Sequence, residues 1–140
     1  MYRALLPIDT DEERALRQAR FVASLPDAAN SVEAILLFVF HGESQALPEE
    51  LKRFDSPERV ASVRRAIEHL EEHEIDYTIR EGSGNTAEDI LDEADDEDVD
   101  LIVLGGRKRS PAGKAIFGSV SQSVLLSTDR PVVITGRKRE

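Results

Sequence analysis

The chain of 140 residues has no cysteine, which excludes disulfides, thiolate metal sites and cysteine nucleophiles. No apolar run approaches the roughly 18 residues that a membrane span needs. The opening stretch from Met1 to Ile8 meets an acid at Asp9, too soon for a secretory signal, so the cytoplasm is the expected location. Lysine is scarce: Lys52, Lys108, Lys114 and Lys138 stand among cations that are otherwise arginine. Acids outnumber bases 28 to 18, and the formal net charge is −10. Such a surface repels duplex DNA and anionic lipid, so neither nucleic acid nor membrane is an expected partner. The plain reading of the charge is a well-solvated surface. A sharper one is a halophilic source, where salt screens charge over a few Å and acidic proteins stay soluble. No Walker loop, no Gly-x-Ser-x-Gly elbow and no calcium-loop spacing is present.

What is present alternates. Tyr2 to Ile8 reads as a short buried strand, and Asp9-Thr10 ends it with turn and cap chemistry. Asp11 to Leu25 reads as a helix with acids in its first turn, and Ala15, Ala19, Val22 and Ala23 form a narrow inward stripe. Val32 to Phe40 is a second apolar run, continuous from Ala34, as in strands buried on both faces. His41 to Phe54 reads as a loop. A helix is expected from Ser56, with Ser56 as cap and Pro57 in its first turn, and with Val60, Val63, Ile67 and Leu70 inward. Ile75 to Arg80 is a third strand. Asn85 and Glu88 resemble a capping box before a helix that buries Ala87, Ile90, Leu91 and Ala94. Asp95 to Asp98 reads as an acidic loop and Val99 to Leu104 as a central strand. Ser119 to Leu126 is the last helix, with Ser119 and Gln122 as a second capping box. Pro131 to Thr135 is the last strand, and a charged tail follows. Strict β-α alternation predicts one α/β domain over 1–140, a parallel sheet with helices on both faces.

Ligands of open α/β sheets bind beyond the carboxyl ends of the strands, at the switch point. The first strand ends in Asp9. The fourth ends in Gly105-Gly106-Arg107-Lys108-Arg109, and the chain reaches a helix start at Gly118-Ser119-Val120-Ser121. Glycines permit close backbone approach, and a helix start offers free N–H groups and a positive dipole end to an anion. The loop from Gly105 to Ser119 is thus a coherent phosphate site. The alternative is an ordinary strand-to-helix loop whose glycines only turn the chain.

The sequence resembles the universal stress protein family, and its haloarchaeal members in composition. The resemblance rests on Pro7-Ile8-Asp9, on Asp100-Leu101-Ile102-Val103-Leu104-Gly105, on Gly118-Ser119-Val120-Ser121-Gln122-Ser123-Val124 and on Arg130-Pro131-Val132-Val133-Ile134. It implies an adenine-nucleotide α-hydrolase-like fold: an open five-stranded parallel sheet of order 3-2-1-4-5. It also implies an ATP site. The nucleotide-binding branch carries glycine, two residues, glycine, nine residues, glycine and serine or threonine. Gly105, Gly118 and Ser119 fall on that pattern, and Lys108 stands where the second glycine belongs. Asp9 matches the aspartate that meets the adenosine. Pro7, Val39, Leu104 and Val120 complete the implied binding set, with Mg2+ or Mn2+ entering only with ATP. Lys108 either blocks close approach with its Cβ or binds phosphate as a point charge. The resemblance further implies a homodimer through the last strand, where Val132, Val133 and Ile134 form an apolar edge.

Three functions remain open at this point. The first is a stress-response regulator that binds ATP. The second is a homodimeric interaction protein without nucleotide, its pocket filled by Lys108. The third, ranked last, is a weak ATP hydrolase or nucleotidyl-transfer enzyme, since no general base or metal cluster is visible beyond Asp9. His69-Leu70-Glu71-Glu72-His73 matches a zinc-protease spacing and places both histidines on one helical face. That face turns from the apolar stripe and no cleft surrounds it, so protease chemistry is not expected. Adventitious metal binding stays open there. His41 reads as a loop residue near the pocket mouth, and Arg107-Lys108-Arg109 as either an exposed basic loop or part of the anion site.

Overall fold

The computed structural model describes residues 1–39, 60–106 and 118–136. The His41 loop, the Ser56 cap and the basic cluster with Lys108 lie outside the described residues. Five strands form one parallel sheet: β1 (Tyr2–Ile8), β2 (Val32–Phe38), β3 (Asp76–Glu81), β4 (Leu101–Gly105) and β5 (Val132–Thr135). Their order is β3-β2-β1-β4-β5, as the family resemblance implies. Among the described residues five helices connect them: α1 (Glu12–Ala23), α2 (Ala28–Ser31), α3 (Ala61–Glu72), α4 (Thr86–Asp96) and α5 (Ser119–Ser127). No helix among the described residues is long and apolar enough to cross a membrane.

Alternation along each strand sorts the core into two layers. Ala4, Leu6 and Ile8 share one face with Ala34, Leu36, Leu101 and Val103, under α1 and α3. Leu5, Ile35, Leu37, Ile102 and Leu104 form the other face with Ile90, Ala94 and Val124 of α4 and α5. The central strands read as unbroken apolar runs because both faces are covered.

Several boundaries differ from the sequence reading. Asp11 is the N-cap of α1, its carboxylate accepting from the Arg14 N–H at 2.8 Å. Helix α3 begins at Ala61, not near Ser56, since Val60 is still extended. Ile75 is not the start of a strand. It closes α3 in a Schellman motif: Ile75 N–H donates to Leu70 at 2.9 Å and Glu74 N–H to Glu71 at 3.0 Å. Glu74 takes the left-handed conformation this requires, with φ 58°. Asp95 and Asp96 belong to α4 rather than to a loop, and the same motif follows at Asp98, with φ 47°.

Neither expected capping box forms. Asn85 caps α4 without a side-chain hydrogen bond. Instead the Asp89 carboxylate reaches back, accepting from Ser83 N–H and Ser83 Oγ, each at 2.7 Å, and from Gly84 N–H at 3.1 Å. The N-cap of α5 is Gly118; Ser119 is the first helical residue and makes no cap bond. The one-turn helix α2 has too few residues to show a period and is absent from the sequence reading.

Candidate functional site

The sheet opens where the strand order reverses, between β1 and β4. β1 pairs with β2 along its full length, from Tyr2↔Val32 to Ile8↔Phe38. Its pairing with β4 spans only Ala4↔Leu101 and Leu5↔Ile102. Beyond that point the two strands part. Gln18 of α1, 1% exposed, bridges the split: Nε2 donates to the Pro7 carbonyl at 2.7 Å and to the Val103 carbonyl at 2.9 Å. Both amide hydrogens are used, so the gap is fixed in width by a side chain.

A cleft lies over this opening. Pro7 and Asp9 line it from β1, Val39 from beyond β2, and Leu104 and Gly105 from β4. Thr86 and Ile90 of α4 face it, as do Gly118, Val120 and Ser121 at the start of α5. Two helix N-termini therefore converge on one space, and both bring positive dipole ends. The walls divide into an apolar part (Pro7, Val39, Ile90, Leu104, Val120) and a polar part (Asp9, Arg14, Thr86, Ser121). That division suits a ligand with a flat apolar portion and an anionic one.

Arg14 was not foreseen, and it shapes the polar wall. Its guanidinium forms an ion pair and hydrogen bond with Asp9, both side chains being about four-fifths buried. Asp9 also accepts from the Asp11 N–H at 2.9 Å, and its carbonyl accepts from buried Ser62 Oγ on α3 at 2.5 Å. The loop after β1 is thus pinned from α1 and α3. On its way to Asp9 the Arg14 side chain passes directly over Gly105. A Cβ on Gly105 would lie 2.1 Å from Arg14 Cγ and 2.5 Å from Cδ. A Cβ on Gly106 would lie 2.4 Å from the Thr135 carbonyl oxygen. These glycines make room for parts of the protein itself.

Arg17, one turn further along α1, donates to the Gly106 carbonyl at 3.1 Å. The buried Nε atoms of Arg14 and Arg17 have no partner among the described residues. The end of β4 is therefore flanked by two arginines from α1.

Of the residues implied by the resemblance, Pro7, Asp9, Val39, Leu104, Gly105, Gly118 and Val120 come together in the cleft. Ser119 does not line it. It is exposed, and Ser121, one-half turn on, faces the space instead. Lys108 lies outside the described residues. The sequence reading missed Arg14, Thr86, Ile90 and Ser121 as wall residues. Only Arg14 carried a signal, being the first cation on the helix that follows Asp9.

A five-stranded α/β domain with a two-sided cleft at its switch point defines the class. Within that class, the family model described as the universal stress protein family matches residues 1–136. The chain belongs to that family. It is 38% identical over 66 residues to a universal stress protein of Mycolicibacterium smegmatis, a match covering 46% of this chain and 51% of that protein. It is 36% identical over 87 residues to the stress response protein NhaX of Bacillus subtilis, covering 62% of this chain and 51% of that one. The chain spans about half the length of these curated relatives. Among solved structures, MJ0577 of Methanocaldococcus jannaschii superposes with a TM-score of 0.72 at 26% identity, covering 100% of this chain and 99% of that one. A universal stress protein from Archaeoglobus fulgidus in complex with dAMP shares the fold, with a TM-score of 0.66 at 22% identity over 96% of this chain and 97% of that one.

Proposed function

We propose that this universal-stress-type protein is a stress-response regulator that binds an adenine nucleotide, ATP in the first instance, in the cleft between β1 and β4. The observation that carries the reading is the gathering of Asp9, Val39, Gly105 and Gly118 around two converging helix N-termini. The apolar wall takes the base, and the start of α5 with the arginines of α1 takes the phosphates. The A. fulgidus relative with dAMP supports the choice of ligand class. Mg2+ or Mn2+ enters with ATP as a phosphate counter-ion. Among the described residues the pocket has no general base placed on a nucleophile, which supports a role in binding rather than turnover.

One observation favours a second reading, a nucleotide-free interaction protein. Asp9 is already held by Arg14, and the bare face of Gly105 is already covered by the same side chain. Calorimetric titration of ATP into nucleotide-stripped protein separates the two. Binding that is lost in Asp9→Ala supports the first reading; no heat at millimolar ATP supports the second. Lys108→Gly then assigns the lysine: tighter ATP means that it blocks the pocket, and weaker ATP that it binds phosphate.

The reading includes a homodimer through β5, an edge strand with β4 as its one neighbour in the sheet. Val132, Val133 and Ile134 are only half-buried, and Leu126 near the end of α5 is 80% exposed. A monomer at micromolar protein in light scattering overturns this part. The acidic, lysine-poor composition supports a cytoplasmic protein of a salt-rich cell, and unfolding at molar salt would contradict it.

A further inference from the structure

The last turn of α3 carries a second cluster, remote from the cleft. Ligand atoms of His69, Glu72 and His73 all lie within 4.8 Å of one another. The two imidazoles have ring centroids 4.4 Å apart, tilted by 35°. We propose that His69, Glu72 and His73 form a surface site for a borderline divalent transition-metal ion such as Zn2+.

Four features of the geometry support this. First, the tautomer of His73 is set. Its Nδ1 lies 2.9 Å from the His69 carbonyl oxygen, which can only accept, so Nδ1 carries the proton. With the proton on Nδ1, the lone pair of this neutral imidazole is on Nε2, the nitrogen that can take a metal. This is the arrangement that orients metal-binding histidines generally.

Second, the Glu72 carboxylate has no hydrogen bond or ion pair among the described residues, whereas Glu71, its neighbour, accepts from Tyr77 Oη at 2.7 Å. Third, the platform is rigid. Leu70 is fully buried between the ligands, and the Schellman motif through Glu74 and Ile75 locks the helix end directly after His73. Fourth, the site is at a helix C-terminus, whose dipole favours a cation.

Two imidazoles and one carboxylate suit Zn2+, Ni2+, Cu2+ or Co2+, whereas Mg2+ and Ca2+ prefer oxygen donors alone. Tetrahedral ligand atoms at about 2.0–2.1 Å from zinc stand about 3.3 Å apart. The exposed side chains of Glu72 and His73 reach that spacing toward half-buried His69 by small rotations. Three protein donors leave the fourth position to water or to a donor from another molecule. The positive charge of Arg20 on α1 acts on His69 and lowers the affinity for a cation.

The test uses the full chain, stripped of nucleotide and metal, titrated with Zn2+ in excess Mg2+. One saturable equivalent is expected in the wild type. His69→Ala and His73→Ala should each lose it, Glu72→Gln should weaken it, and His41→Ala should leave it intact. No saturable equivalent in the wild type overturns the proposal, as does its retention in both His69→Ala and His73→Ala. Cu2+ bound to the wild-type chain gives an independent readout that needs no variant. Its electron paramagnetic resonance spectrum should show coupling to two imidazole nitrogens; coupling to one or none overturns the site.

Discussion

The side chain of Arg14 occupies the space that Gly105 leaves bare, and the two residues behave as one fitted pair. Gly105 thus has a structural reason to lack a Cβ, whatever ligand the cleft takes. Replacing it with alanine drives a methyl into Arg14 Cγ and Cδ and pulls the guanidinium off Asp9. We expect Gly105→Ala to cost about 1–3 kcal/mol, the range for overpacking. In an Arg14→Ala background most of that cost should vanish, a coupling of about 0.5–3 kcal/mol for residues in contact. Urea unfolding of the four proteins of the cycle measures it. Equal costs in both backgrounds would show that the glycine is needed for another reason.

Gln18 is the hinge pin of the site. Its Nε2 satisfies the Pro7 and Val103 carbonyls where β1 and β4 have stopped pairing. Gln18→Leu keeps the volume and removes both donors. Leaving two buried acceptors unpaired should cost about 2–4 kcal/mol, taking about 1–3 kcal/mol for each and allowing partial relaxation. Hydrogen exchange should quicken at the ends of β1 and β4 before it does at β2. A variant as stable as the wild type would mean that water replaces the amide without loss.

Asp89 builds the turn that delivers Thr86 to the cleft. Its carboxylate accepts three hydrogen bonds from Ser83 and Gly84 in a partly exposed loop. Asp89→Ala should cost about 1–2 kcal/mol, the upper range for a lost helix cap. If the nucleotide reading holds, ATP should also bind less tightly, because Thr86 and Ile90 shift with the turn. Calorimetry and thermal melting on the same sample separate the two effects. Asp89→Asn keeps one oxygen to accept from the Ser83 and Gly84 N–H groups and can donate its amide to Ser83 Oγ, so it should retain most of the stability.

The parallel α/β architecture was legible because each central strand is a continuous apolar run and each connection carries a helical period, whereas the strand order came from the family resemblance. The candidate site was legible at Asp9, Gly105 and Gly118 because chain reversals and helix starts leave a mark in the sequence. The wall residues were less so. Arg14 looks like a cation serving a helix, and only the tertiary position of Gly105 reveals its path. Gln18 sits at helical spacing from Ala15 and Ala19 but is polar, so an apolar-stripe reading passes over it. Its function exists only because β1 and β4 diverge. Ser119 was a reasonable cap by pattern, yet Gly118 reaches the extended conformation first and shifts the helix start by one residue. That shift turns Ser121, not Ser119, toward the cleft.

Glu93 gives the protein a pH signature. Burial of its side chain pushes its carboxyl above the ordinary glutamate value; Arg80, 3.4 Å away, pulls it down, and Glu97 and Asp96 push it further up. The folded state therefore holds this proton to higher pH than the unfolded state does. Its contribution to stability is complete below the unfolded pKa and is lost as pH rises through the folded one. Glu93→Gln mimics the protonated form at every pH. The melting temperature of the variant relative to the wild type should be nearly unchanged at about pH 4 and become more favourable to the variant by about pH 7. The comparison cancels the titration of the other acids, which both proteins share. A difference that stays flat, or that turns against the variant as pH rises, would mean that the Arg80 ion pair outweighs the desolvation of Glu93.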